Sequence, residues 1–515
     1  MRIIVSLLGL ILLIFPSALA FISPKDDLSR PAQNSSPKVM LAGDQPIAEI
    51  AVHKIGNTWL TITNIGQFGL GYLGAAIDPI SGLAAPSCIF PAGSNINYLY
   101  VAGFWIGAIV GRDTLVSIGV DDYYNVVEFW PSPKPEGNIE MKSIQSSNQF
   151  YDETAISEQD IIAVYTDTVT DSRRVATDPT DGRGHIPLNI EITQRSFAWS
   201  YEYAQDFILF DYSVKNIGNK KLRQVYMAIY VDGDVHHTSL SGADAYMEDM
   251  CGFLRTFPAE VGCGFVDTIN LAYIMDNDGD PENTTSFGQK AARGVAGIRV
   301  VRTPSDSLSY SFNWWVTDYD PSHDFGPRQL GTITDPFREL SGVLGTPPGD
   351  RNKYYIMRHR EFDYDQMFTA VNQTAAGWLP PPNNGVDIAN GFDTRYLLSF
   401  GPFDISPGEV LPITFAFVCA DSVHTHPGDF NNYYNATNPT IFYNTLNFSA
   451  PARNSMWASW VYDNPGYCSD TSNPTDLCYR GKYRVCVYDS TLKIDTSGQP
   501  PVIETTTVYN KADTT

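Results

Sequence analysis

The stretch with the strongest chemical character is Asp276-Asn277-Asp278-Gly279-Asp280. Alternating carboxylates on a tight turn can wrap hard oxygen ligands around Ca2+, and Gly279 lets the backbone bend sharply. The spacing is not that of an EF-hand, because glycine stands at the fourth loop position and Phe287 at the twelfth. A second acidic turn is Asp232-Gly233-Asp234, with Asp244, Glu248 and Asp249 near enough in sequence to complete a cage. The expected calcium ligands are therefore Asp276, Asp278, Asp280, Asp232, Asp234 and Asp249. The alternative is an ordinary solvated β-turn, which favours Asp and Gly without any metal.

Glu361-Phe362-Asp363-Tyr364-Asp365 places three carboxylates at period two, which on a strand puts them on one face. Such acids could serve as a cation site or as the pair that glycoside cleavage needs, about 5–10 Å apart. Plain strand alternation with the acids in water is the simpler reading. His236-His237 and His424-x-His426 sit in no zinc frame, and there is no H-E-x-x-H, nucleophile elbow, P-loop or dinucleotide fingerprint. Trp105, Trp314-Trp315 and Tyr433-Tyr434 are candidate sugar platforms. In a β protein the same residues more often fill cores and cross-strand pairs.

The elements that must position these residues read as short strands. Val52 to Ile65, Leu188 to Thr193, Phe207 to Val214, Val225 to Val231 and Leu411 to Cys419 are β-type runs bounded by turn residues. Tyr98 to Val110 turns through Gly111-Arg112-Asp113 into Thr114 to Ile118, the pattern of a hairpin. The form x-Asn-Ile-Gly recurs at Thr63–Gly66 and Lys215–Gly218, each time after a strand. Helical patterning is scarce, its best case running from Ile441 to Tyr462 across Pro451. With 34 Pro and 40 Gly spread along the chain, the expected fold is all-β: β-sandwich layers with long decorated loops and few helices.

Arg2, the apolar run Ile3 to Phe15 and Ala18-Leu19-Ala20 read as a secretory signal peptide, 1–20. The run falls short of the roughly 20 apolar residues of a bilayer span, so no integral membrane segment is expected after cleavage. A flexible leader is expected over 21–45, an N-terminal β domain over 46–184 and a β-sandwich domain with acidic loops over 185–425. A mixed segment with a cysteine cluster would follow over 426–490, then a polar tail over 491–515. The 57 acidic against 34 basic residues give a net charge of −23. That field repels phosphate backbones, so nucleic acid is not an expected partner.

An oxidising compartment permits disulfides among the seven cysteines. The local pairs Cys251–Cys263 and Cys468–Cys478 are expected, each worth on the order of 3 kcal/mol. An odd count leaves at least one thiol free or intermolecular.

Several segments together carry a resemblance: PSCIFPAGSNINYLYVAGFWIGAIVGRDTLVS (86–117), DFILFDYSVKNIGNKKLRQVYMAIYVDGDV (206–235), AYIMDNDGDP (272–281), SFGPFDISPGEVLPITFAFV (399–418) and WASWVYDNPG (457–466). They resemble a group of uncharacterised secreted bacterial proteins whose members commonly end in a β-sandwich sorting or anchoring module. No such module is expected before Thr515. In that group an acidic, calcium-like run often follows Asp-Asn-Pro-Gly. Here Tyr467-Cys468-Ser469-Asp470 follows, with a disulfide expected in the metal's place. The resemblance implies a secreted β-rich surface protein and carries no catalytic residues. The expected role is noncatalytic: a calcium-stabilised extracellular or cell-surface protein, structural or binding glycans or other proteins, with self-assembly as a further option and the periplasm as the alternative location. A secreted carbohydrate-active enzyme using paired carboxylates is the competing expectation.

Overall fold

The computed structural model describes residues 47–463 except 74, 121–125, 134, 176, 178–181, 242–244, 259–265, 306–307, 317–346, 348 and 372–383, with strand fragments at 484–485, 493–495, 502–504 and 511–512. The expected signal peptide and leader, Asp244, Cys263, Cys468 and Cys478 lie outside these residues.

The chain weaves between two antiparallel sheets. β1 (Ile50–His53), β2 (Trp59–Thr63), β3 (Gln67–Gly69), β4 (Cys88–Ile89), β5 (Ile96–Asn97), β6 (Val101–Val110) and β7 (Asp113–Ile118) begin the larger one. β8 (Trp130–Pro131), β9 (Glu140–Lys142), β10 (Gln159–Thr166), β11 (Ile190–Ala198) and β12 (Phe207–Asn216) begin the smaller. β13 (Leu222–Asp232) and β14 (His236–His237) return to the larger sheet. β15 (Asp249–Pro258), β16 (Val266–Asp276) and β17 (Val295–Arg302) extend the smaller. β18 (Ser309–Val316) and β19 (Thr394–Ile405) complete the larger, and β20 (Val410–Ala420) enters the smaller between β17 and β12. The fold is all-β, as expected.

The segments expected as separate domains on either side of residue 185 interleave. β6 pairs with β13 in one sheet and β10 with β11 in the other, so the residues before and after 185 build one sheet pair. The expected hairpin forms, with Val110 opposite Asp113 and Gly111 at φ +67°.

The two sheets meet on an aromatic interior. Phe68 and Phe104 of the larger sheet lie 4.9 Å and 5.2 Å from Phe210 and Tyr212 of the smaller, ring centre to ring centre. Burying such large rings removes more apolar surface per residue than aliphatic packing does, and offset rings add their own attraction. Each sheet is also covered outside. α1 (Gly349–Arg358) packs Tyr354 and Met357 with Trp105, Tyr230, Trp315 and Leu397. This double covering explains why β6 reads VAGFWIGAIV with scarcely a polar residue: one face meets the interior, the other the helix. Gly107 is the contact point, because a Cβ there would stand 2.8 Å from the Tyr354 ring.

The smaller sheet is covered by α5 (Ser449–Asp463), preceded by the short helices α2 (Gly385–Ala389), α3 (Asp429–Tyr433) and α4 (Thr440–Tyr443). The single helix expected over 441–462 is thus two, α4 and α5, and Pro451 falls in the first turn of α5, where its missing N–H is no loss. Trp105, Trp314 and Trp315 are wholly buried. They serve as core rather than as sugar platforms.

Candidate functional site

Strand ends from both sheets gather the acidic residues at one end of the sandwich. Asp232 closes β13 and Asp393 precedes β19 in the larger sheet. Asp249 opens β15 and Asp276 closes β16 in the smaller, where they face one another as a register pair. Hydrogen bonds lace the two sheets together here. Val235 donates its N–H to Asp249 Oδ1 at 3.0 Å, Phe392 donates to the Asp249 carbonyl at 2.9 Å, and Asn277 Nδ2 donates to the Asn390 carbonyl at 2.7 Å. Gly391 allows the approach. It sits at φ +111°, and a Cβ would stand 2.6 Å from the Glu248 carbonyl oxygen.

The loop after β16 winds around its own first carboxylate. Asp276 Oδ1 accepts N–H bonds from Asp278 at 2.9 Å, Gly279 at 2.5 Å and Asp280 at 3.2 Å. Gly279 takes φ +80°, the conformation its position in the sequence implies. Asp278 Oδ1 accepts the Asp280 N–H at 2.9 Å. His424 Nε2 donates to the Asp276 carbonyl at 2.9 Å. Burial holds that imidazole down at about 4, so it is neutral and carries its proton on Nε2.

Two carboxylate groups result. In the first, Glu248, Asp276 and Asp280 bring one oxygen each within 4.8 Å of one another. Asp276 is buried and Glu248 exposed, so the group is rooted in the fold yet reachable from solvent. Burial pushes the Asp276 carboxyl well up, and the charges of Asp280, Asp278 and Glu248 push it further, against the pull of the Gly279 N–H. Such a group is stabilised by a proton or a cation. The donors are all hard oxygens, which fits Ca2+ and gives zinc no nitrogen or sulfur.

In the second group, Asp232, Asp234 and Asp393 are all buried, with oxygens again within 4.8 Å. It contains its own cation: Arg395, 1 % exposed, lies 3.3 Å from Asp232 and 3.0 Å from Asp393. A guanidinium so placed offsets part of the charge a metal would neutralise.

Of the residues expected to bind calcium, Asp276 and Asp280 therefore come together, joined by Glu248. Asp232 and Asp234 come together, joined by Asp393. Asp249 and Asp278 stand beside the first group and outside its closest set of oxygens. Asp393 and Arg395 had no signal in the sequence beyond an Asp-x-Arg alternation entering an apolar strand.

The other carboxylate run does not form the strand expected of it. Only Phe362 of residues 361–365 joins a sheet, through an isolated bridge to Phe312, so the run forms no strand with a shared face. Glu361 Oε2 lies 3.2 Å from His359 Nε2, Asp363 Oδ2 accepts the Trp314 N–H at 3.0 Å, and Asp365 accepts from Phe253 N–H and the Tyr273 hydroxyl at 2.8 and 3.2 Å. Burial pushes Asp365 up to about 6. Glu361 and Asp363 are buried rather than in water. Cys251, expected in a staple with Cys263, is buried in β15.

No protein-family model matches the chain, and no curated protein matches it. Among solved structures, a crystal structure of an Escherichia coli K12 protein provisionally titled an aldose 1-epimerase is similar over 73 % of this chain and 100 % of its own, at 12 % identity and a TM-score of 0.22. That degree of likeness carries no functional argument. No helix among the described residues is long and apolar enough to cross a membrane.

Proposed function

We propose that this chain is a secreted, noncatalytic β-sandwich protein whose acidic end binds Ca2+, and that it serves a structural or glycan- and protein-binding role outside the cell. The observation that supports calcium most directly is the convergence of Glu248, Asp276 and Asp280 oxygens within 4.8 Å, from a strand approach and a loop 28 residues further on. A cation there would join the 248–249 segment to the 276–280 loop and relieve the repulsion that raises Asp276. Ligation by Asp276 and Asp280, with Glu248 on the solvent side, leaves further positions for water and backbone carbonyls. The noncatalytic part of the reading rests on the dispersal of Glu361, Asp363 and Asp365 onto separate partners and on the burial of the tryptophans. Secretion rests on the sequence of residues 1–20.

The test is a thermal melt of the mature protein in EDTA and again with millimolar calcium. A ligand at about 100 times its Kd adds roughly 2.7 kcal/mol, which for a chain of this size is a shift of several degrees. A reversible rise in Tm that Asp276→Asn abolishes supports the reading. Identical melts in EDTA and calcium would leave the acidic end as a hydrogen-bonded loop and remove the metal from the proposal.

A further inference from the structure

Residues 360–366, which form no strand of their own, lie where the two sheets end. β18 is the last strand of the larger sheet and β15 of the smaller, and among the described residues no strand lies beyond either. The two edges meet, with the Phe253 ring of β15 centred 5.3 Å from the Phe312 ring of β18. Strand edges carry N–H and C=O groups that will pair with another chain unless they are covered.

The first half of the segment covers β18. Arg360 donates its N–H to Ser311 Oγ at 2.8 Å. Phe312 donates to the Glu361 carbonyl at 2.8 Å and accepts the Asp363 N–H at 2.9 Å, and Trp314 donates to Asp363 Oδ2 at 3.0 Å. The second half crosses to β15. Phe253 donates its N–H to Asp365 Oδ1 at 2.8 Å, and Cys251 donates to Gln366 Oε1 at 3.0 Å. Gly252 between them leaves the room, since a Cβ there would stand 2.7 Å from Asp365 Cγ. Gln366 is itself held, its Nε2 donating to the Ile388 carbonyl and its Oε1 accepting from the Thr394 hydroxyl, both at 3.0 Å. The aromatic residues of the run fill the seam between the sheets. Phe362 lies 5.1 Å from Phe253 and Tyr364 6.2 Å from Trp314, ring centre to ring centre.

The alternation of acids and rings thus serves a purpose other than a strand: acceptors for edge N–H groups and rings for the gap. On β15 those acceptors are side chains. A carboxylate takes an N–H and offers none, and the Gln366 amide directs its own N–H to Ile388. The ladder therefore ends at β15 instead of continuing.

We infer that residues 360–366 are a guard strap that closes the seam between β15 and β18 and so keeps β15 from pairing with the β15 of a second copy. The pairing it prevents is a two-fold antiparallel one, in which the same edge meets itself. With Gly252 on the axis, Cys251 of each copy would stand opposite Phe253 of the other, and the two residues would exchange the N–H bonds that Asp365 and Gln366 now accept.

The test combines hydrogen exchange and sedimentation of the mature protein, of Asp365→Ala/Gln366→Ala, and of Asp365→Asn, which keeps an amide oxygen as acceptor. In the dilute double variant the Cys251 and Phe253 N–H groups are expected to exchange at least about tenfold faster than in the parent. The double variant is then expected to dimerise as its concentration rises, with the same two groups protected again in the dimer. Asp365→Asn should behave as the parent does. Unchanged exchange in a double variant of parental circular dichroism overturns the inference. So does an opened edge that gains no dimer, or a dimer in which those two groups stay unprotected. Should the double variant fail to fold, Asp365→Ala measured against Asp365→Asn decides the matter on the Phe253 N–H and on dimer formation in the same way.

Discussion

Asp249 and Asp276 face each other across the last rung of the β15–β16 ladder, and both are buried. Like charges directly opposite in a sheet repel, so this rung needs compensation. Asp249 takes it from the Val235 N–H and Asp276 from the three N–H groups of its own loop. Those donors orient the carboxylates without neutralising them, and Glu248 and Asp280 add further charge. The end of this hairpin is therefore the part of the fold whose stability responds most to what binds there.

Replacing Asp276 with Asn separates the loop's folding role from its ion-binding role. The amide oxygen still accepts the loop N–H groups, and one buried charge disappears. In EDTA the Asp276→Asn protein is expected to melt at or above the parent temperature, whereas in millimolar calcium it melts several degrees below. A variant that melts lower by the same amount in both solutions would contradict this.

Gly391 offers an independent handle on the same end. Alanine there would need φ near +111° and would push against the Glu248 carbonyl. Strain of that kind costs about 1–3 kcal/mol. Gly391→Ala is expected to lower Tm and also weaken calcium binding, measured by isothermal titration, by displacing Glu248. Unchanged affinity would show that Glu248 is not a ligand.

His185 makes stability depend on pH on the alkaline side. Its Nδ1 lies 3.0 Å from Glu128 and its Nε2 2.8 Å from the Asp167 carbonyl. Burial opposes its charge, but the hydrogen bond and charge of Glu128, with Asp167 behind, outweigh burial and raise the imidazole to about 9. A raised histidine binds its proton more tightly in the folded state. Its contribution is complete below the ordinary value near 6.5 and is lost as pH rises through about 9. Urea unfolding at pH 6 and pH 9.5 should differ by on the order of 2–3 kcal/mol from this group, and His185→Gln should remove most of that difference. Equal pH dependence in the two proteins would rule the assignment out.

The repeated x-Asn-Ile-Gly turn has a physical basis in its asparagine. Asn64 accepts the Glu49 N–H at 2.7 Å and donates to the Gly137 carbonyl at 2.8 Å. Asn216 donates to the Lys220 and Ile405 carbonyls at 2.9 and 3.0 Å and accepts the Gly218 N–H at 2.9 Å. Both are wholly buried at strand ends, one in each sheet. Alanine at either position strands several buried backbone groups, each costing about 1–3 kcal/mol. Chemical denaturation should show a loss of at least 2 kcal/mol, on the order of two such groups, for each variant. A surface-like loss under about 0.5 kcal/mol would deny them this role.

The strands were legible because their chemistry is local: β-branched and aromatic runs, a tight turn at Gly111, a bend at Gly279. The grouping of carboxylates was legible only where it too is local, as for Asp276 with Asp280 and Asp232 with Asp234. Asp393 and Arg395 join Asp232 through the β13–β19 pairing, across more than 150 residues, and no spacing rule reaches that far. Glu361, Asp363 and Asp365 show the opposite failure. Their period of two is a strand pattern, but the segment lies outside the ladders, and each acid is held by a different backbone or side-chain group.

The position of β20 bears on how this molecule is made. It lies between β17 and β12, and β19 just before it lies between β13 and β18. The larger sheet therefore lacks an inner strand until residue 405 has been synthesised, and the smaller until residue 420. Pairing over such separations is slow, since distant segments must be brought together before their contacts form. The emerging chain spends that interval with its aromatic faces and strand edges uncovered, a state prone to aggregation. Its folding is thus a late, whole-chain event, and partners that shield an unfinished β-sheet would act on this protein before any ligand does.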